Sequence, residues 1–161
     1  MLLVVPEINL LCAAQVAHKV TSTYSQGECN MAYPTDRRYT KEHEWVSVDG
    51  DIATIGITDY AQHELGDVVF VELPKPGAKV AAGKSFGTVE SVKAVSEIYA
   101  PAGGEVLEAN PELHNTPEKL NTDPHSSAWL IKIKLANAAD LNALMDGPAY
   151  DAYIADKAAT A

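Results

Sequence analysis

Cysteine is nearly absent. The 161-residue chain has two, Cys12 and Cys29, both within its first thirty residues. The rest of the chain therefore has no disulfide framework and no thiolate zinc site. Five histidines, at 18, 43, 63, 114 and 125, form no HxH or HxxxH pair, so spacing supports no metal centre. Bases are scarce as well: 12 Lys and Arg face 22 Asp and Glu, for a net charge of −10. That balance argues against nucleic acid as a partner, because phosphate binding needs concentrated cations. No run of eighteen apolar residues occurs, so no membrane span is expected. No GxSxG, phosphate-binding loop or GxGxxG follows a strand, and self-contained catalysis has no motif to stand on. Glu42 and Glu44 flank His43, which could suggest acid–base work. Alternate side chains on a surface strand account for the trio more simply.

What is present suits one globular domain: hydrophobic content is 47% and charged content 21%. Residues 1–30 read differently from the rest. "MLLVVPEINLLCAAQVAHKV" is apolar but has no basic start, and Glu7 interrupts it, unlike a secretory signal. It has no Arg, one Lys (Lys19) and two acids up to Glu28, unlike a mitochondrial transit peptide, although a divergent transit peptide is the alternative. Residues 1–30 are expected to be an extension outside the fold, and residues 31–161 the domain.

From Tyr39 onward the signals are mostly β. "WVSVDGDIATIGIT" predicts two strands around Asp49-Gly50, a dipeptide suited to the positive φ of a tight turn. "DVVFVELPKPG" is a β-rich run stopped by Pro74, Pro76 and Gly77. "KSFGTVESV" and "AVSEIYAP" predict two strands meeting near Lys93, and "GGEVLEAN" another. In "AWLIKIKL", Trp129, Ile131, Ile133 and Leu135 share one face and Lys132 and Lys134 the other. "GDVVFVELPKPGAKV" and "GTVESVKAVSEIYAPAGGEV" echo each other as hairpin-like runs ending in Pro and Gly. Short strands at this spacing predict a sandwich or barrel. Helices are short and peripheral. "TDYAQHELGD" predicts one, capped by Thr58 or Asp59 and stopped by Gly66. "NPELHNTPEKLN" predicts a broken turn between its prolines. The strongest helical signal follows Asn137, with Asp140 in its first turn and Gly147-Pro148 ending it before a second short helix.

Lys93 stands alone as a base in "GTVESVKAVSEIYAP", with Glu90 before it and Glu97 after. A Schiff-base lysine needs a desolvated site or neighbouring cations; acidic neighbours make Lys93 a poor catalytic amine. At a hairpin tip between Val92 and Ala94 it could instead enter another enzyme's site and be acylated, losing its charge and becoming a tether. A plain exposed turn lysine is the other reading, and local composition leaves both open.

Several stretches in order resemble the glycine cleavage H-protein family: "HEWV" (43–46), "ATIGITDYAQ" (53–62), "LGDVVFVELPKPG" (65–77), "GTVESVKAVSEIYAP" (87–101), "GEVLEAN" (104–110), "LNTDP" (120–124) and "WLIKIK" (129–134). The resemblance covers about residues 31–157. It implies a mainly β barrel-sandwich hybrid of the lipoyl/biotinyl-carrier type, with short peripheral helices and a C-terminal helix. It also implies lipoic acid on Lys93, with Glu90, Val92, Ala94 and Glu97 recognised around the lysine. Glu44, Glu97 and Glu64 are the cleft candidates for holding a cationic aminomethyl group. The implied function is a non-catalytic carrier, moving the aminomethyl group of glycine from the P protein (glycine decarboxylase) to the T protein (aminomethyltransferase). The reduced dithiol goes to the L protein (dihydrolipoamide dehydrogenase). A lipoate ligase or lipoyl/octanoyl transferase would load it. A lipoyl relay that donates lipoate to other apoproteins is the alternative, while a biotin carrier lacks its methionines here. A carrier visiting several partners is expected to be monomeric, in a bacterial cytoplasm, or in the mitochondrial matrix if residues 1–30 are a transit peptide. Two departures stand out. The loop 125–128 is His-Ser-Ser-Ala where the family often has an aromatic and glycines, and Glu64 stands where it often has histidine.

Overall fold

The computed structural model describes residues 33–160; the expectation for residues 1–30 lies outside the described residues. Among the described residues, nine strands form two antiparallel sheets. The larger holds, in spatial order, β1 (Arg38–Tyr39), β2 (Glu44–Asp49), β3 (Ile52–Ile57), β9 (Ile131–Leu135), β8 (Gly104–Ala109) and β5 (Lys79–Val80). The smaller holds β4 (Val68–Glu72), β6 (Ser85–Ser91) and β7 (Val95–Tyr99). Four short helical segments, α1 (Asp59–Leu65), α2 (Glu112–Asn115), α3 (Lys119–Thr122) and a 3₁₀ helix (Ala138–Ala143), precede the longest, α4 (Gly147–Thr160).

The β2–β3 hairpin forms as its turn chemistry predicts, one residue displaced. Asp49 pairs with Ile52, so the two-residue loop is Gly50-Asp51, and the positive φ of 63° falls on Gly50. The echo between the two Pro-ended runs has a structural counterpart. β4 leads into β5 and β7 into β8, each pair crossing from the small sheet to the large one, and β5 then pairs with β8. Proline suits these crossings because it has no N–H to leave unpaired where a ladder stops.

Alternation in the last strand holds from Ile131, where Ile131 and Ile133 are fully buried beside Val106 and Ile55. It does not reach Trp129. Leu130 is buried in a separate cluster with Val71, Val89, Leu113 and Leu120, and the Lys132 ammonium lies 4.3 Å above the Trp129 ring. The strand starts at Ile131, and the residues before it follow a loop path in which consecutive side chains serve different cores. A third cluster, Tyr33, Tyr39, Trp45 and Tyr150, seats α4 against β1 and β2.

The C-terminal helices reverse the expected emphasis. The segment after Asn137 is only a 3₁₀ helix, although Asn137 does cap it. Gly147-Pro148 opens α4 rather than closing a helix, because the missing proline N–H is unneeded in a first turn. Asp146 supplies the cap, its Oδ1 accepting the Ala149 N–H at 2.9 Å. Asp146→Ala is expected to cost about 1 kcal/mol, and Leu130→Ala about 3 kcal/mol through the cavity left between sheet and helices. Urea denaturation measures both; equal losses would show that the core does not dominate at Leu130.

Candidate functional site

The small sheet projects Lys93. Glu90 pairs with Val95, and the Ser91 N–H donates to the Ala94 carbonyl at 2.8 Å, leaving Val92 and Lys93 at the tip. Ser91 builds the turn. Its Oγ accepts the N–H groups of Lys93 and Ala94, both at 3.2 Å, a local side-chain bond typical of serine turns. Sequence reading passed over Ser91, although a serine just before a turn is a recognisable signal. Val92, Lys93 and Ala94 are exposed, and Lys93 makes no ion pair among the described residues.

The tip is tied to the body at a glycine. The Val92 N–H donates to the Asp67 carbonyl at 3.0 Å. Gly66, the C-cap of α1, has φ 76° and ψ −156°, a region open essentially to glycine alone. A Cβ there would lie 2.7 Å from Lys93 Cε, so the lysine stem passes directly over this backbone. Asn121 holds the same loop from below: its Nδ2 donates to the Gly66 carbonyl at 2.9 Å and its Oδ1 accepts the Val68 N–H at 2.9 Å. Asn121 lies within "LNTDP", and nothing in its local sequence announces this partner.

Between this sheet and α1 lies a cleft of about 160 Å³ that brings Glu44, Glu64 and Glu97 together. Ile57, Leu65 and Val89 form apolar walls. Glu42 and His43, set aside at the sequence level, line it as well. Glu90 does not line it; it sits on the outer face of the sheet between Phe70 and Val95. A larger hollow of about 380 Å³ between β1, β2 and the 3₁₀ helix contains none of the expected site residues. Among the described residues no cluster of three or more metal-ligating side chains occurs, and no helix is long and apolar enough to cross a membrane.

The Glu42–Glu44 segment is not a surface strand. Glu44 starts β2 and is only 2% exposed. Its carboxylate accepts the Thr40 hydroxyl proton and, at 3.0 Å, the Tyr99 N–H. Burial pushes the Glu44 carboxyl up, and these two bonds offset part of that push. Glu97 accepts the Tyr99 phenol proton at 2.9 Å, and Glu64 is exposed at the rim.

His43 has φ 74° and packs against Tyr60 and Tyr150. A lysine ammonium only donates, so His43 Nε2 accepts from Lys157 Nζ at 3.3 Å and Nδ1 carries the ring proton toward Tyr150 Oη at 2.7 Å. The Tyr150 proton is then free for Thr58 Oγ1 at 2.8 Å, the cap of α1. In the 125–128 loop, His125 Nε2 accepts the Asp59 N–H at 3.1 Å, and Asp123 accepts the Ser127 N–H at 2.9 Å. No residue of this loop has positive φ, so its path is compatible with the absence of glycine.

A lysine at the tip of a tight hairpin, on a body of two antiparallel sheets, defines the class: a barrel-sandwich carrier domain of the lipoyl type. The family model described as "Glycine cleavage H-protein" matches residues 37–157. The glycine cleavage system H protein of Acidobacterium capsulatum is 57% identical over 127 residues, covering 79% of this chain and 98% of that protein. Its counterpart in Bacteroides fragilis is 51% identical over 124 residues, covering 77% and 98%. The crystal structure of a glycine cleavage system H protein from Mycobacterium marinum superposes with a TM-score of 0.69 at 36% identity, covering 78% of this chain and 99% of that one. The chain belongs to the glycine cleavage H-protein family.

Burial, and secondarily Lys157, push the His43 pKa from its usual 6.5 to about 4. The unfolded chain therefore takes up this proton first. Stability from the neutral ring is complete above about pH 6.5 and is lost as pH falls toward 4. Glu44, raised in the folded state, slopes the opposite way above its own usual value, so the comparison needs a variant. His43→Asn, a residue that tolerates positive φ, is expected to show a smaller drop in urea midpoint between pH 7 and pH 4.5 than the parent. Identical drops would exclude His43 as a source of acid sensitivity.

Proposed function

We propose that this chain is the lipoyl-bearing carrier of a glycine cleavage system, with no turnover of its own and lipoic acid in amide linkage to Lys93. The observation that carries the reading is the exposed Lys93 at a hairpin tip, without an ion pair among the described residues, whose side-chain stem passes over Gly66, the residue that ends the α1 wall of the cleft. When bound, lipoate supplies a cyclic disulfide that can accept a one-carbon amine and two electrons. The chain's own residues do the rest. The paired hairpin fixes the attachment point, which raises the effective concentration of a tethered group at each partner. Ile57, Leu65 and Val89 keep water from a group lying in the cleft. Glu44 and Glu97, with Glu64 at the rim, hold a cationic amine there; each oxygen of Glu44 already accepts one bond and has capacity for another. Glu90, Val92, Ala94 and Glu97 surround the lysine for the loading enzyme, a lipoate ligase or lipoyl/octanoyl transferase.

In this reading the partners are the P, T and L proteins, and the aminomethyl group passes from the first to the second. The bacterial relatives favour a bacterial cytoplasm as the place of action. Intact mass and peptide mapping across residues 85–97, after expression with lipoate and a ligase, should place one lipoyl amide on Lys93. Lys93→Arg should remove both the modification and glycine cleavage by the reconstituted system, with an unchanged melting temperature. Glycine cleavage sustained by that variant would refute the assignment. Lipoylation without glycine cleavage in the parent would favour the relay instead.

A further inference from the structure

The end of the small sheet that carries Lys93 also carries an apolar patch that the cleft does not use. Val69, Phe70, Val92 and Val95 are 52%, 42%, 68% and 64% exposed. The other large apolar side chains of comparable exposure, Val48, Ile52 and Leu107, all lie in or beside the larger sheet. The patch has a structural origin. The β4–β6 register slips between Val68 and Phe70, so Val69 is the extra residue of a bulge. Val68 stays buried while Val69 and Phe70 both face outward. Phe70, Glu90 and Val95 then lie opposite one another across the three strands. In the next row on that face stand Glu72 and Thr88, with Glu97 opposite Thr88 on the edge strand β7, where it borders both this row and the cleft, and Asp67 is bonded to Val92 at the tip. Within residues 85–99 Lys93 is the only base. An exposed apolar centre beside a reactive group is a contact surface rather than ordinary surface scatter, and its acidic surround asks for a cationic rim opposite.

We propose that this patch is the docking surface for the enzyme that acylates Lys93, which would meet it with an apolar contact edged by Lys and Arg. The inference rests on the reading of Lys93 as the attachment site and adds Val69, Phe70 and Val95 to its recognition. Reach decides the occupant. In the loading step Lys93 Nζ attacks an activated lipoyl carbonyl, an acyl adenylate or thioester. The C–N bond forms as the bond to phosphate or sulfur breaks, and the amine proton passes to a base of the enzyme. The enzyme must therefore bring its reacting centre to within four methylenes of the hairpin backbone, and it cannot do so without covering the tip and the row beside it. Partners that use the loaded arm meet its far end and can stand off from Phe70 and Val95.

The test uses the full apo chain with a purified lipoate ligase, lipoate and ATP. Val95→Thr keeps β-branching and Phe70→Thr introduces it, both at exposed strand positions that suit threonine. Each is expected to raise the KM for the apo chain about tenfold, the scale for losing an interface anchor. The control Ile52→Thr, on the larger sheet and about as exposed as Phe70, is expected to leave KM unchanged. KM should also rise with salt. Once fully loaded by prolonged incubation, the two variants should support decarboxylase-catalysed exchange of glycine carboxyl with bicarbonate at the parent rate. Unchanged ligase KM in both variants overturns the proposal. So does a loss confined to the exchange assay, which would give the patch to the decarboxylase. A variant with a lowered melting temperature is replaced by Val92→Thr, outside the strand ladder, judged by the same two results. A parent chain left unmodified while a control acceptor is loaded refutes the Lys93 assignment itself, a separate outcome.

Discussion

The hydrogen bond from the Val92 N–H to the Asp67 carbonyl, together with the passage of the Lys93 stem over Gly66, is the contact on which the site depends. A hairpin tip projecting into water has no packing of its own, and its outermost backbone groups would otherwise be free to fray. Here one side is closed by Ser91 and the other is bonded to the loop that ends α1. The loop is in turn held by Asn121, whose amide reaches Gly66 and Val68 together. Lys93 thus stands on a rigid mount, and the wall of the cleft and the base of the lysine stem are one continuous piece of backbone.

The cleft is fixed on its other side by buried polar groups that a mostly β protein has few ways to supply. Glu44 bonds the Tyr99 N–H at the end of β7, which fastens the small sheet to the start of β2. Tyr150 Oη, from α4, spans His43 and Thr58 and so joins the turn before β2 to the cap of α1. Unpaired, each of these groups would cost more than the bond returns, and every side-chain polar atom of Glu44, His43, Thr58 and Tyr150 has a hydrogen-bond partner. The C-terminal helix therefore supports the cleft from behind, through Tyr150, Tyr153 and Lys157 on His43.

The outer face of the small sheet is governed by different physics. Its inner residues, Val71 and Val89, are committed to the core, so period-two alternation sends Phe70, Glu90 and Val95 outward. The bulge at Val69 adds one more apolar side chain to that outward row. The result is a protein of net charge −10 in which four of the seven exposed large apolar side chains among the described residues gather near Lys93.

Much of this was legible in the chain. Alternation at Ile131 and Ile133, the turn at Gly50, the Thr58 cap, the Gly66 stop and the solitary Lys93 are local signals, set by period, φ and side-chain chemistry within a few residues. Those signals were enough to predict a β sandwich or barrel with a lysine at a hairpin tip, and the ordered motifs were enough to suggest the family and its barrel-sandwich fold. The burial of Glu44, the clamp by Asn121, the Tyr150 bridge and the bulge at Val69 were not legible. Their partners lie 55, 53 and 107 residues away, or across a sheet. The same distinction explains α4, where Gly147-Pro148 reads equally well as a stop or a start until Tyr150 is seen packed against Tyr39 at 4.8 Å. Local sequence determined which elements form and which lysine they display. Which acids are buried, how the cleft is walled and which apolar residues remain in water were decided by long-range packing, because only there do the competing costs of burial and exposure meet.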